Sequence, residues 1–523
     1  MLNLSSILRS AEVGNTIPSV AKNFTQPTIV YTLDPPISHK IFNFNKFVST
    51  LNVESFIKDN SVLPCHCANS SFSDKHHGHI ISGDLRLIRN NKLRKLFSKG
   101  PKYRESKVLD WNVVENDLIE AVKVCAKKWC EKNKKDEKIL RLWVNVVSDK
   151  IRNKVNSLKI SHPPKTVHEV LKDRQSLSYL KDLQKQFVLA PIDKASGNIA
   201  FICKRFYAQV LVKELGLDRE TRCETYERIT GLNINNIIED QSTHLKDKFK
   251  LEVPCESKVL PHIYWLPKLH KNPIKFCFII AAPNCSIKPL SQTVTKIFKL
   301  FYRQIEKYND KSQFYTYVKT FWVIQNNEDV IKSINKLNKR NSAKSIKTFD
   351  FSTLYTKIPH AKLLEVLNEL VDFCFQGGTH EKVGISNSNA SWVSKNNRSK
   401  LCFSRDDIKH EIKYLMDNCF FTFGEKVFRQ IVGIPMGSDP APFMANLFLY
   451  HYESKWVKNL KKDSIQRARR FTNTFRFIDD LLTINDRDEF LKSFKDIYPP
   501  ELELNLEHSG YQVNFLDLNI SKV

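Results

Sequence analysis

Phe475-Arg476-Phe477-Ile478-Asp479-Asp480-Leu481-Leu482-Thr483-Ile484 places two carboxylates side by side in the middle of an apolar, strand-like run. Adjacent carboxylates repel each other and resist burial, so this pair is costly inside a sheet. A bound cation relieves both costs, and so does a hairpin turn that leaves the pair exposed. Successive side chains on a strand point to opposite faces, so Asp479 and Asp480 cannot both lie fully in one site. The plain reading is an exposed acidic turn. The functional one needs another carboxylate, on a neighbouring strand, facing Asp479.

Two upstream segments bear on that choice. In Lys347-Thr348-Phe349-Asp350-Phe351-Ser352-Thr353-Leu354-Tyr355-Thr356-Lys357-Ile358-Pro359 an apolar strand runs into an Asp and then turns. In Gly433-Ile434-Pro435-Met436-Gly437-Ser438 a glycine-bearing turn precedes Pro440 and a predicted helix from Ala441 to Glu453. If Asp479 faces Asp350, the two supply oxygen ligands to a small hard cation such as Mg²⁺, which favours carboxylates together with phosphate oxygens. Two such ions activate an attacking hydroxyl and steady a leaving group in an in-line displacement.

The ordered series DFSTLYTKIP, GIPMGSDPAPFMANLFLYHYE, RFIDDLL and NFLDLNI (Asn514 to Ile520) resembles motifs A, B, C and E of a reverse transcriptase. Its flavour is that of Penelope-like retroelement reverse transcriptases, in the telomerase-related reverse transcriptase superfamily. Upstream, Tyr264-Trp265-Leu266-Pro267-Lys268-Leu269-His270-Lys271 resembles that family's LPK-x-HK signature, and Asp193-Lys194-Ala195-Ser196-Gly197 its DKG segment. The matches run from about residue 187 to residue 523.

The resemblance implies an α+β, right-hand polymerase with fingers and palm, its thumb missing or truncated, behind a mainly helical basic N-terminal region. It implies RNA-directed DNA polymerisation for a retrotransposon, by two-metal nucleotidyl transfer to a DNA 3′-hydroxyl. Two Mg²⁺ ions, replaceable by Mn²⁺, would be the cofactors, and the partners would be RNA template, DNA primer and deoxynucleoside triphosphates. Asp350 and Asp479 would be metal ligands and Asp480 a weaker supporting carboxylate. Tyr355 would sit under the sugar, excluding the 2′-hydroxyl that marks ribonucleotides. Phe351, Gly433, Pro435, Met436 and Gly437 would complete the nucleotide site, glycine allowing close backbone approach. Lys194, Lys268 and Lys271 would contact phosphates of template or triphosphate. The sequence departs from the family where an Arg usually grips the triphosphate: here Lys275-Phe276-Cys277-Phe278-Ile279 offers a cysteine, which makes no charged bidentate phosphate contact. It also lacks the GIY-YIG endonuclease motif. The alternative is a decayed or truncated remnant that only binds nucleic acid.

Along the chain we expect four blocks: a Cys/His and basic region over 1–110, a helical region over 111–185, fingers over 186–344 and palm over 345–523. Thr28 to Tyr31 reads as a strand, and Trp111 to Lys134 as a helix, with Val114, Leu118, Ala121, Val122 and Cys125 at helical spacing. A second helical stretch runs to about Ser161 before Pro163-Pro164 breaks it. Phe187–Ala190 and Ile199–Cys203 flank a turn as a β-hairpin, and strand-like segments recur near Ile263 and Phe276. Gln376 to Lys400, rich in Gly, Ser and Asn, reads as a surface insertion.

Near the N-terminus, Cys65, Cys67, His76 and His79 are candidate zinc ligands, although C-x-C is not the usual C-x₂-C spacing. After them come Arg86, Arg89, Lys92, Arg94, Lys95, Lys99, Lys102 and Arg104, with Phe97 and Tyr103 interleaved. Such a patch suits a nucleic-acid backbone, or else forms a solvated helix face.

The composition agrees with a polyanion partner: 82 Lys and Arg against 56 Asp and Glu in 523 residues give a net charge of +26. No apolar run approaches the ~18 residues of a membrane helix. The N-terminus has no secretory pattern, and the 12 cysteines are scattered. The expectation is therefore an intracellular protein, nuclear or cytoplasmic, with no membrane partner.

Overall fold

The helical periodicity after residue 110 closes as α1 (Trp111–Asn133) and α2 (Lys138–Ser161) in a computed structural model. The structure describes residues 36–65, 67, 75–104, 111–133, 138–161, 170–218, 220–339, 344–376, 381–393, 401–435 and 437–521. The strand expected at Thr28 to Tyr31 and the break at Pro163-Pro164 lie outside these. The chain divides into two units, residues 1–43, 66–203 and 268–270 in one, and 44–65, 204–267 and 271–523 in the other. Among the described residues, no helix is long and apolar enough to cross a membrane.

In the first unit, Leu118, Ile119, Val122, Ala126 and Cys130 of α1 and Leu140, Trp143, Val147, Ile151 and Val155 of α2 are buried. These recur every three or four residues, so the two helices bury one stripe each. The unit also holds a four-stranded antiparallel sheet in the order β1-β2-β4-β3, from β1 (Lys75–His76), β2 (His79–Ser82), β3 (Phe187–Ile192) and β4 (Ala195–Cys203). Strands β3 and β4 form the expected hairpin, turning at Asp193-Lys194, with Lys194 at φ 58°.

The second unit carries a five-stranded sheet ordered β5-β13-β12-β6-β7. Its strands are β5 (Tyr226–Ile229), β6 (His262–Lys268), β7 (Lys275–Ala281), β12 (Phe420–Phe423) and β13 (Lys426–Gln430). A second sheet, ordered β14-β15-β8-β16, is antiparallel throughout, from β8 (Ile346–Phe351), β14 (Thr474–Phe477), β15 (Asp480–Ile484) and β16 (Leu504–Ser509). Alternation gives this sheet two apolar faces. Phe349 and Leu481 enter the main core with helices α3 (Lys288–Thr316), α4 (His360–Phe375) and α5 (Ala441–Asp463). Ile346, Leu482 and Ile484 face a smaller core with Val513, Phe515 and Ile520 of the hairpin β17 (Gln512–Phe515) and β18 (Leu518–Ser521).

Two expectations change. Helix α5 runs past Glu453 to Asp463, because Val457 and Leu460 continue its buried stripe. The stretch read as a surface insertion contains β9 (Lys382–Ile385) and β10 (Ala390–Val393), which join β11 (Cys402–Ser404) in a three-stranded sheet. Val383 and Ala390 seat it in the main core, so two apolar side chains outweigh a Gly- and Ser-rich composition. The fold is thus mixed helix and sheet, as expected.

Candidate functional site

Strand β8 delivers Asp350 one residue before its end, half-buried on the central strand of its sheet. Hairpin β14–β15 closes with Phe477 opposite Asp480, leaving Ile478-Asp479 as a two-residue turn. The register then sets Asp480 directly opposite Asp350, with Asn505 of β16 on Asp350's other side. The sequence led us to expect Asp479 in that facing position and Asp480 in support. A turn of two residues shifts the pairing by one position, which alternation in a continuous strand does not anticipate. Asp479 sits at the tip, where its carbonyl accepts a bond from the Phe351 N–H at 3.1 Å.

The turn is strained. Ile478 has φ 55°, a left-handed backbone that a β-branched residue rarely adopts. It is held by Arg476, fully buried on β14, whose Nη1 donates to the Ile478 carbonyl at 3.0 Å. Both guanidinium edges are engaged: Nε and Nη2 donate to Glu453 of α5 at 2.6 and 3.0 Å, and Nη1 and Nη2 to the side chain and carbonyl of Asn446 at 2.8 and 3.2 Å. Tyr498 adds a hydroxyl donation to Glu453 at 2.8 Å. Sequence reading missed this support. Its only sequence signal is an Arg inside a strand of apolar neighbours, with a Glu on the helix after the glycine turn.

A second cation packs against β14. Lys319, half-buried over its length, donates from Nζ to the Thr474 carbonyl at 2.8 Å and lies 3.8 Å from the Phe475 ring centre. Burial pulls its ammonium down to about 7, against the opposing pull of Asp329, Asp310 and Glu453. The unfolded chain keeps this proton until about pH 10, while the folded chain releases it near 7, so stability rises with pH across that window. Denaturant unfolding of Lys319→Met and the parent should show the difference moving in the parent's favour between pH 7 and 10. A constant difference would mean that the folded protein keeps the charge.

The segment after Asp350 is stitched to the glycine turn. The Ile434 N–H donates to the Tyr355 carbonyl at 3.0 Å, the Gly433 N–H to the Ile358 carbonyl at 2.8 Å, and His360 Nε2 to the Gly433 carbonyl at 2.8 Å. Gly433 has φ 89°, and a Cβ there would lie 2.3 Å from the Tyr355 oxygen; at Gly437, φ 101°, one would lie 2.1 Å from the Ile280 oxygen of β7. These two glycines are therefore required by close approach to the chain's own carbonyls, whereas the sequence suggested close approach to a ligand. Gly433→Ala should cost about 1–3 kcal/mol from backbone strain alone, read as a lower denaturation midpoint. Gly197→Ala, with nothing within 4 Å and no positive φ, should be nearly silent.

Tyr355 is half-buried, and burial followed by the negative charge of Asp479 raises its hydroxyl above the usual tyrosine range. Asp479 and Tyr355 are therefore electrostatic neighbours. The Phe351 ring, by contrast, is core, 4.9 Å from Tyr498, so only its backbone meets the turn. Pro435 is buried; Met436 lies outside the described residues.

Lys194 and Lys268 belong to the first unit, where Lys268 Nζ is 3.8 Å from Asp193, and Lys271 is exposed after β6. Cys277 is half-buried on β7 beside Tyr264, whose hydroxyl is raised by burial and then by this thiol. Its neighbour Phe276 packs 4.6 Å from Trp265. In the basic patch Phe97 is only 2% exposed, so it is a core residue and cannot stack on a base. Lys99 stands 4.3 Å over the Tyr103 ring.

Of the candidate zinc ligands, His76 faces His77, with ring centres 4.3 Å apart, and does not join the cysteines. His79 does, and Cys203 takes the place expected of His76.

No family model matches the sequence, and no curated protein does. The structure is similar to apo telomerase from Candida tropicalis truncated from its C-terminal domain, with TM-score 0.47 and 12% identity over 99% of this chain and 94% of that one. It is also similar to telomerase from Candida albicans in complex with a TWJ fragment of telomeric RNA, with TM-score 0.43 and 12% identity over 90% of this chain and 77% of that one.

Proposed function

We propose that the chain is an RNA-directed DNA polymerase of the Penelope-like kind, extending a DNA 3′-hydroxyl with deoxynucleotides on an RNA template. The observation that carries this is the cross-strand pair Asp350–Asp480, with Asp479 at the adjoining turn, inside a polymerase-like motif order. Like charges directly opposite on antiparallel strands destabilise a sheet. A divalent cation shared by Asp350 and Asp480, with Asp479 at the adjoining turn, would offset that repulsion, and carboxylate oxygens suit Mg²⁺. When bound, Mg²⁺ would lower the pKa of the primer hydroxyl and neutralise charge on the triphosphate.

The chain's own residues would do the rest. Asp350, Asp479 and Asp480 would orient the reacting groups, with Arg476 fixing the turn. Tyr355, held through its carbonyl by Ile434, would press against the sugar. Gly433 and Gly437 would bring backbone close to the base pair. The right-hand layout of fingers and palm, and the retrotransposon role, belong to this same reading.

Single-nucleotide extension of a DNA primer on an RNA template tests it. The parent should add the complementary deoxynucleotide and discriminate against the ribonucleotide. Tyr355→Ala should narrow that preference tenfold or more, since one lost steric contact of this kind is worth about 1–3 kcal/mol. Unchanged discrimination would remove Tyr355 from the sugar site.

A further inference from the structure

We infer that a structural zinc ion is held by Cys67, His79 and Cys203 of the first unit, with Cys65, two positions before Cys67 along the chain, as the fourth donor. Cys67, His79 and Cys203 bring their ligand atoms within 4.8 Å of one another, from three separate stretches of the chain. Tetrahedral zinc with bonds of 2.3 Å to sulfur sets its sulfurs about 3.8 Å apart. The donors therefore need to draw in by only about 1 Å.

The fold explains how residues so far apart in sequence meet. The β1–β2 hairpin turns through His77 at φ 48° and Gly78 at φ 78°, the paired left-handed residues of a two-residue turn, and presents His79 at the start of β2. Strand β2 then pairs with β4, Ile81 opposite Ile202 and Ser82 opposite Phe201, which carries Cys203 to the His79 end. Cys67 and Cys203 are buried, at 3% and 2% exposure. The Ile80 N–H donates to Cys67 Sγ at 3.3 Å, the kind of bond that supports a metal-bound thiolate.

Three sulfurs and one imidazole make a closed site with no position left for water or substrate, so the role is structural. Zinc here ties the C-x-C segment to the hairpin that ends at Cys203. Clips between sites far apart along the chain remove the most chain entropy.

Metal analysis of the purified full chain tests this, independently of nucleotide addition. The parent should carry about one zinc per chain through gel filtration. Cobalt(II) in its place should show thiolate-to-metal charge transfer and the visible bands of a tetrahedral site. His79→Ala and Cys203→Ser should lose the metal, and His76→Ala should keep it. Cys203→His, which leaves zinc an allowed ligand, should restore it even if Cys203→Ser does not fold. Parent protein that takes up no zinc or cobalt when refolded with excess metal would overturn the inference. So would loss of metal from His76→Ala as complete as from His79→Ala.

Discussion

Asp350→Asn should lower template-directed nucleotide addition about 1000-fold or more while leaving nucleic-acid affinity nearly unchanged. A metal-held carboxylate contributes several kcal/mol to transition-state charge stabilisation, and each 1.4 kcal/mol is tenfold in rate. Affinity survives because the net charge of +26 comes from cations spread along the chain. The substitution is nearly isosteric and removes one of two like charges set opposite in the β8–β15 register. In the presence of a chelator the variant should therefore be as stable as the parent or slightly more so. Rate and binding are read by primer extension and by filter binding, and stability by thermal melting. A parallel loss of binding and rate would make Asp350 a structural residue. Asp480→Asn should fall as Asp350→Asn does if the cross-strand pair holds the cation. A mild effect there and a severe one at Asp479→Asn would return the leading role to the turn.

Arg476→Met should destabilise the protein by about 3–5 kcal/mol, the usual cost of breaking a buried ion pair from one side. It leaves the Glu453 carboxylate fully buried, with the Tyr498 hydroxyl at 2.8 Å as its remaining donor among the described residues, and it removes the Arg476 donations to the Asn446 side chain and carbonyl. The double variant Arg476→Met/Glu453→Met should recover most of that loss, because apolar side chains of similar volume often replace a buried pair without penalty. Activity should not recover with it. The Ile478 carbonyl would still lack its donor, and a turn strained at φ 55° relaxes when its hold is removed. Denaturant unfolding and extension kinetics on the two variants separate these effects. If activity returns with stability, Arg476 supports the fold and not the turn.

What the sequence disclosed follows from local signals. Helices α1 and α2 and the β3–β4 hairpin were legible because periodicity and turn residues are written within a dozen positions. Gly433 and Gly437 were legible as a glycine turn, but not what they pack against: the sequence suggested a ligand, and the fold sets the Tyr355 and Ile280 carbonyls there. The aspartates were legible as a set, but not their register: whether Asp479 or Asp480 faces Asp350 depends on a two-residue turn, not on the alternation of the strand. The Arg476–Glu453 pair joins a strand to a helix across 23 positions of sequence, and Cys203 lies 124 positions beyond His79. No local pattern foretells such meetings. Phe97 shows the opposite failure, an aromatic in a basic run that tertiary packing takes into the core.

The most direct measurement is extension of oligo(dT) on poly(rA) by the purified parent protein with dTTP and Mg²⁺ or Mn²⁺, run beside Asp350→Asn. Products that lengthen only when poly(rA) and a divalent cation are both present, and that vanish in Asp350→Asn, are the expected result. A parent protein that binds the poly(rA)/oligo(dT) duplex but adds no nucleotide with either cation would contradict it, and would leave a protein that holds nucleic acid without copying it.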